Sequence, residues 1–223
     1  MEATLMDHVK LQWATPDIDK QILYIARLSN PDKQDSPNTE LLNFLMREGH
    51  VSPFQMANVC LEINAPRDIS RQIMRHWTMY MHELDVQEFS QRYQDVGKLS
   101  HTHAGLREAR MQDTKNRQNS IPTDDQYLRN WWFGVQDEIL NLVEVRYKEA
   151  LGKGIAKEQA RVILPEGLTP SRFYLNGNMR SWIFYLQQRL HASTQLEHRI
   201  LAEEILPTLW QVAPVTMNAF FPK

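Results

Sequence analysis

The 223 residues include 27 acidic and 25 basic side chains, a formal net charge of −2, with 42% hydrophobic and 23% charged residues. That balance suits one globular domain of moderate size, excludes wholesale disorder, and gives no overall positive field to draw the chain to nucleic acid. One cysteine, Cys60, excludes an internal disulfide framework, no apolar run approaches the roughly 20 residues that span a bilayer, and residues 1–10 lack the apolar stretch of a secretory signal, so a cytoplasmic protein is expected.

The first predicted element is a strand at 9–14, where Val9, Leu11 and Trp13 alternate with Lys10 and Gln12. Thr15-Pro16-Asp17 opens a helix with Ile18, Ile22, Ile25 and Leu28 at helical spacing. A polar loop over 30–37 leads to a second helix, capped near Asn38 and stopped by Gly49, with Leu41, Leu42, Phe44 and Leu45 directed at a core. His50-Val51-Ser52-Pro53-Phe54 follows, then a strand-like run over 56–63 that ends before Pro66. A third helix over 68–77 places Ile69, Ile73 and Trp77 at four-residue steps. Residues 97–122 are polar and locally basic, with His101, His103, Arg107, Arg110, Lys115 and Arg117, and read as a long loop over the surface or over a site. The longest helix begins at Pro122-Thr123-Asp124 and runs to Gly152, and its Trp131 and Trp132, like Trp210 later, read as core or subunit contacts. A helix from Ala156 to Pro165, a short strand at 173–175, and helices at 179–189 and 194–209 complete the chain. The expectation is one α+β domain over 1–223, helix-rich with a small mixed or antiparallel sheet.

Chemistry concentrates on a few segments. On the third helix Gln72, Arg75 and His76 share a face, with Arg71 one turn before Arg75. Gln87 to Tyr93 follows, Arg161 precedes Leu164-Pro165, and Asn178 and Arg180 open a helix that Arg189 ends. Guanidinium forks suit phosphates and pyrimidine carbonyls because they donate paired hydrogen bonds at fixed geometry. Spacing alone leaves open a solvated helix face for these arginines, and a cap or surface role for His50 and His76. Cys60, within Val59-Cys60-Leu61-Glu62-Ile63, reads as a buried inert thiol rather than a nucleophile, and Ser90 has no evident base beside it.

Several segments, in this order, resemble the flavin-dependent thymidylate synthases: Gly49-His50-Val51-Ser52-Pro53-Phe54; Arg71-Gln72-Ile73-Met74-Arg75-His76; Glu88-Phe89-Ser90-Gln91-Arg92-Tyr93; Ala160-Arg161-Val162-Ile163-Leu164-Pro165; Asn178-Met179-Arg180-Ser181; and Gln195-Leu196-Glu197. The chain departs from the family pattern at Trp77, where an arginine is usual, in a longer spacer before Ser90, and at Gln87, Phe184 and Ser193. The resemblance implies reductive methylation of deoxyuridylate (dUMP) to thymidylate (dTMP), with FAD as cofactor and methylenetetrahydrofolate and NADPH or NADH as co-substrates. It implies a dUMP site of Gln72, Arg75, Glu88, Phe89, Ser90, Gln91, Arg92, Arg161 and Arg189. Of these Arg189 and Ser90 are the catalytic residues, Arg189 stabilising charge on the pyrimidine carbonyl edge and Ser90 donating to the phosphate. It implies a flavin and folate site of Ser29, His50, Ser52, Arg75, His76, Trp77, Asn178 and Arg180, no metal, and a homotetramer with shared active sites. Two alternatives remain at this point: an enzyme of the same fold that hydroxymethylates dUMP, and a nucleotide-binding relative without flavin.

Overall fold

The computed structural model describes residues 8–80, 85–95, 97 and 105–222, with backbone alone for 76–80. Strand β1 (Val9–Ala14) leads to helices α1 (Ile18–Ala26) and α2 (Glu40–Arg47), then to strand β2 (Asn58–Pro66), helix α3 (Arg67–Tyr80) and strand β3 (Asp85–Glu88). A hairpin of β4 (Arg110–Gln112) and β5 (Ser120–Pro122) precedes the long helix α4 (Gln126–Gly152) and the single turn α5 (Lys157–Ala160). Strand β6 (Pro170–Asn178) and helices α6 (Met179–Arg189), α7 (Leu196–Val212) and α8 (Pro214–Phe220) close the fold.

The main sheet is antiparallel throughout, in the order β1-β2-β6-β3. Alternation decides which side chains it buries: Val59, Leu61 and Ile63 of β2 and Phe173 and Leu175 of β6 point into the core, while Glu62, Arg172 and Tyr174 stay on the opposite face. On that outer face the Tyr174 hydroxyl donates to Glu62 at 2.8 Å. The core is completed by Ile18 and Ile22 of α1, Leu42 of α2, Ile69 and Ile73 of α3, Trp182 and Tyr185 of α6, and Ile205 and Leu209 of α7. Trp182 is fully buried and its indole N–H donates to the Val59 carbonyl at 3.1 Å, which locks α6 onto β2 without leaving a buried donor unpaired.

Local chemistry fixes the ends of elements. Gly49, at φ 69°, ends α2 in the left-handed region, and the His50 N–H reaches back to the Leu45 carbonyl at 2.8 Å, a closure that aims the next residues away from the helix axis. Asp125 and Asn178 cap α4 and α6 by accepting from the N–H groups of Leu128 (3.0 Å) and Ser181 (2.9 Å). Asp19 of α1 accepts from the N–H groups of Val215 and Thr216, each at 2.8 Å, and so caps α8 from another helix.

The structure corrects several sequence expectations. Strand β6 has nine residues rather than three, because its full length pairs with β2 from Asn58↔Asn178 to Pro66↔Pro170. Strand β2 likewise continues to Pro66, where a proline is tolerated at the strand's end. Within the expected loop at 97–122, residues 110–122 form a hairpin, whose turn is organised by the Asp113 carboxylate accepting from the N–H groups of Lys115 (2.8 Å) and Asn116 (3.1 Å). Those two hydrogen bonds, the Lys115 one foremost, hold the Asp113 carboxyl below its ordinary range. The helix expected over 156–165 is only the four-residue α5 and a 3-10 turn over Arg161–Ile163, and α8 was not foreseen. Phe44 is exposed and edges against the His50 ring instead of entering the core. Trp210 packs against the core as expected, and Trp131 and Trp132 are exposed in the single chain, so they are not core residues. No helix among the described residues is long and apolar enough to cross a membrane.

Candidate functional site

Helix α3 carries chemistry on two sides. On one side Arg67, Ser70 and Arg71 meet Glu88, which the two-residue alternation of the edge strand β3 turns inward. The Glu88 carboxylate accepts from the hydroxyls of Ser70 (3.1 Å) and Ser171 (2.7 Å) and lies 3.4 Å from Arg71 and 3.7 Å from Arg67. An inward carboxylate is costly unless it is paired in this way, and four partners from α3 and β6 satisfy it. The Arg67 guanidinium is held below its ordinary pKa, first by burial and against the opposing pull of Glu88, with Arg71 and Arg161 near enough to repel it. Arg71 also lies 3.8 Å from Glu166. Arg161 and Arg71 thus both lie near Arg67, and Glu88 and Glu166 oppose their effect on it.

Directly after β3 the chain turns tightly, with the N–H groups of Tyr93 (3.2 Å) and Gln94 (3.0 Å) both donating to the Ser90 carbonyl. This turn carries Ser90, Gln91 and Arg92. The Ser90 hydroxyl accepts from the Arg92 N–H at 3.4 Å, and Arg92 lies 3.5 Å from Glu158 with more than half of its side chain in solvent. Gln91 is 6% exposed, and its Nε2 is buried with no acceptor among the described residues. A buried amide donor of this kind calls for a partner, which the described residues do not supply. Phe89 contributes differently from its neighbours, since its N–H is committed to the Arg172 carbonyl at 2.9 Å and extends the β3–β6 pairing.

On the other side of α3 a chain of hydrogen bonds runs from the core to the hairpin. A carboxylate only accepts, so Gln195 Nε2 donates to Glu197 (2.9 Å) and its Oε1 accepts from Gln72 Nε2 (2.7 Å). Gln72 Oε1 is then an acceptor, which places the proton of His198 on Nδ1 (3.2 Å) and leaves Nε2 to receive the Tyr185 hydroxyl (3.0 Å). Burial raises the Tyr185 phenol well above its ordinary range, against the positive charge of Arg189, and so keeps it protonated as the donor. At the other end Arg110 of the hairpin pairs with Glu197. Every orientation in this series follows from the two ends, a carboxylate and a protonated phenol.

The residues expected around a flavin are a second group, spread over several elements. Ser29 is exposed in the turn after α1, His50 and Ser52 are exposed between α2 and β2, and Asn178 is the buried cap of α6. The 3-10 turn Ser52–Met56 packs against both α1 and α6, which brings these positions onto adjoining elements. Arg180 lies over the Phe184 ring, 5.4 Å from its centroid, and Arg75 is exposed on α3. The expectations for the side chains of His76 and Trp77 lie outside the described residues.

A family model described as "Thymidylate synthase complementing protein" matches residues 10–215. The chain belongs to this family. A flavin-dependent thymidylate synthase of Synechocystis sp. is 43% identical over 81% of this chain and 79% of that protein. A probable flavin-dependent thymidylate synthase of Paramecium bursaria Chlorella virus 1 is 41% identical over 82% of each. Among solved structures, a UMP/dUMP methylase, PolB, from Streptomyces cacaoi, bound with 5-Br dUMP, superposes with a TM-score of 0.80 and 27% identity over 95% of this chain and 93% of that one. The α+β fold and the resemblance read from the motifs are thus those of the flavin-dependent thymidylate synthases, and the chain is an enzyme of that family.

Within this framework the sequence reading left out Arg67, Ser70, Ser171 and His198, and named Gln195 and Arg110 without giving either a role in the site. Arg67 and Arg71 are four residues apart on α3, as are Arg71 and Arg75, a periodicity that extends the arginine row by one turn. His198 lies three residues after Gln195, which places both on the side of α7 facing α3. The partnership of Glu88 with Ser171, 83 residues apart, has no local signal.

Proposed function

We propose that this chain catalyses the reductive methylation of dUMP to dTMP, with FAD as cofactor and methylenetetrahydrofolate and NADPH or NADH as co-substrates. The observation that carries the reading is the turn after β3, where Ser90, Arg92 and a buried Gln91 amide with no acceptor among the described residues follow Glu88, the partner of Arg71. Such a set suits a dianionic phosphate, because the cations offset its charge and the hydroxyl and amide supply directed donors. In this reading Arg75, Arg92 and Arg161 bind the phosphate with Ser90, and Gln72 is held ready by Gln195 and His198. Glu88 acts from behind, fixing Arg67 and Arg71, while Phe89 keeps the turn attached to the sheet. Arg189 stands at the pyrimidine edge and stabilises the negative charge that develops as the ring carbon attacks the one-carbon unit.

The donor set of the second group fits a flavin dinucleotide: the hydroxyls of Ser29 and Ser52 and the cations Arg75 and Arg180 suit a pyrophosphate, with His50, His76, Trp77 and the Asn178 cap completing the site. When bound, the flavin supplies the hydride equivalents that the reduction requires. The chain's own contribution is to hold the nucleotide, orient its ring and screen charge.

The active form is a homotetramer with shared sites. Tyr127, Trp131, Leu142 and Val145 form an exposed apolar stripe on α4, which favours a subunit contact. The test of function is incubation of the FAD-loaded protein with methylenetetrahydrofolate, NADPH and either dUMP or UMP, followed by mass analysis of the nucleotide. A product heavier by a methyl group from dUMP supports the reading; a hydroxymethylated product, or methylation of UMP alone, overturns it.

A further inference from the structure

A cleft of about 430 Å³ opens between the β4–β5 hairpin, the start of α7 and Trp132 of α4. Its volume is in the range of small-molecule sites. Four arginines line it, Arg107, Arg110, Arg117 and Arg199, against one acidic residue, Glu108. Asp68, Glu197 and Glu203 pair with Arg107, Arg110 and Arg199, and none of the three lines the cleft. Arg117 is exposed and forms no ion pair among the described residues, and Arg107 has a buried Nε with no acceptor among them. The 17-residue helix α7 begins at this cleft and its N-cap, Gln195, makes no side-chain cap hydrogen bond, so its positive end adds to the arginines.

The cleft adjoins the proposed nucleotide site. Gln195 lines it and bonds to Gln72, and Arg110 lines it and pairs with Glu197 in the same series. We propose that this cleft is a second anion-binding site, which receives the multiply charged extremity of a co-substrate whose reactive end lies at the nucleotide site. The inference rests on the functional reading above for the identity of that co-substrate. Two sources carry the required chemistry, the 2′-phosphorylated adenosine end of NADPH and the glutamyl carboxylates of the folate. Trp132 gives the cleft a flat apolar wall suited to a purine, whereas a glutamyl chain engages the arginines alone.

The test uses the full-length, FAD-loaded protein at saturating dUMP, which occupies the nucleotide site. Calorimetric titration with adenosine 2′,5′-bisphosphate, and separately with γ-linked triglutamate, compares the parent with Arg117→Glu and Trp132→Leu. The expected result is that at least one probe binds the parent and binds Arg117→Glu about tenfold more weakly, a charged contact's worth. Weakening by Trp132→Leu of the adenosine probe alone assigns the site to the dinucleotide; binding confined to triglutamate assigns it to the folate. Failure of both probes to bind the parent, or equal binding to Arg117→Glu, overturns the proposal. Because binding is read directly, a protein that fails to methylate dUMP would refute the functional reading and leave the cleft result to stand or fall on its own.

Discussion

Replacing Glu88 by alanine tests whether this residue holds the site together from inside. The substitution removes the acceptor of the Ser171 hydroxyl at 2.7 Å, one of the two acceptors of the Ser70 hydroxyl, and the counter-charge of Arg67 at 3.7 Å. The side chains of Arg67 and Glu88 are only 12% and 16% exposed, so the orphaned guanidinium stays in a poorly solvated place where burial already lowers its pKa. Removing one partner of a buried pair costs about 3–5 kcal/mol. The partial exposure of this pair brings the expected loss to about 2–3 kcal/mol, and the Arg71 contact adds little because that side chain is 43% exposed and screened. For a chain of 223 residues this corresponds to a fall in melting temperature of about 5–10 °C. Glu88→Gln, which keeps an acceptor and the shape, should lose about half as much. The double variant Arg67→Met/Glu88→Leu, with no stranded charge, should recover most of the loss. Thermal unfolding at one fixed scan rate, with bound dUMP measured in parallel, gives the comparison. An unchanged melting temperature in Glu88→Ala, with dUMP binding lost, would refute the supporting role and make Glu88 a direct substrate contact.

Arg189→Ala should lower turnover by about 100-fold or more while changing the melting temperature little, and near-normal turnover would remove Arg189 from the chemistry. Cys60 is 8% exposed and burial raises its thiol pKa, so a disulfide reagent at neutral pH should modify it slowly until the protein unfolds, and Cys60→Ala should retain turnover; rapid modification with loss of activity would contradict this. Tyr185 has a folded pKa above its unfolded value, so the stability it contributes is complete below about pH 10 and declines as pH rises beyond that. Tyr185→Phe should unfold at lower urea near pH 8 by about 1 kcal/mol, for the lost bond to His198, and show a shallower alkaline decline than the parent; an equally steep decline would contradict the assignment.

Much of this architecture was legible in the sequence because its signals are local. The strand at Val9–Ala14 and the helices at Met179–Arg189 and Gln126–Gly152 carry alternation, caps and apolar rows that need no tertiary information. Strand β3 is four residues long with an inward glutamate, so its pattern does not announce a strand, and it exists because β6 offers an edge to pair with. The hairpin at 110–122 is short and its residues are mostly exposed; its one local signal was Asp113 two residues before Lys115, which a turn reading of the carboxylate could have used. For the site, motif order singled out Gln72, Glu88, Ser90 and Arg92, while their supports come from positions far along the chain. Gln72 is held by residues 123 and 126 positions away, a relation that spacing does not encode.

The most direct test of the central claim is an anaerobic absorbance experiment on the purified, FAD-loaded protein, with NADPH added in the presence and absence of dUMP. The account predicts flavin bands that bleach on NADPH addition, and faster when dUMP occupies the site beside Gln72 and Arg92. A protein that takes up no flavin, or whose bound flavin NADPH leaves oxidised with and without dUMP, would contradict the assignment of this chain to reductive methylation.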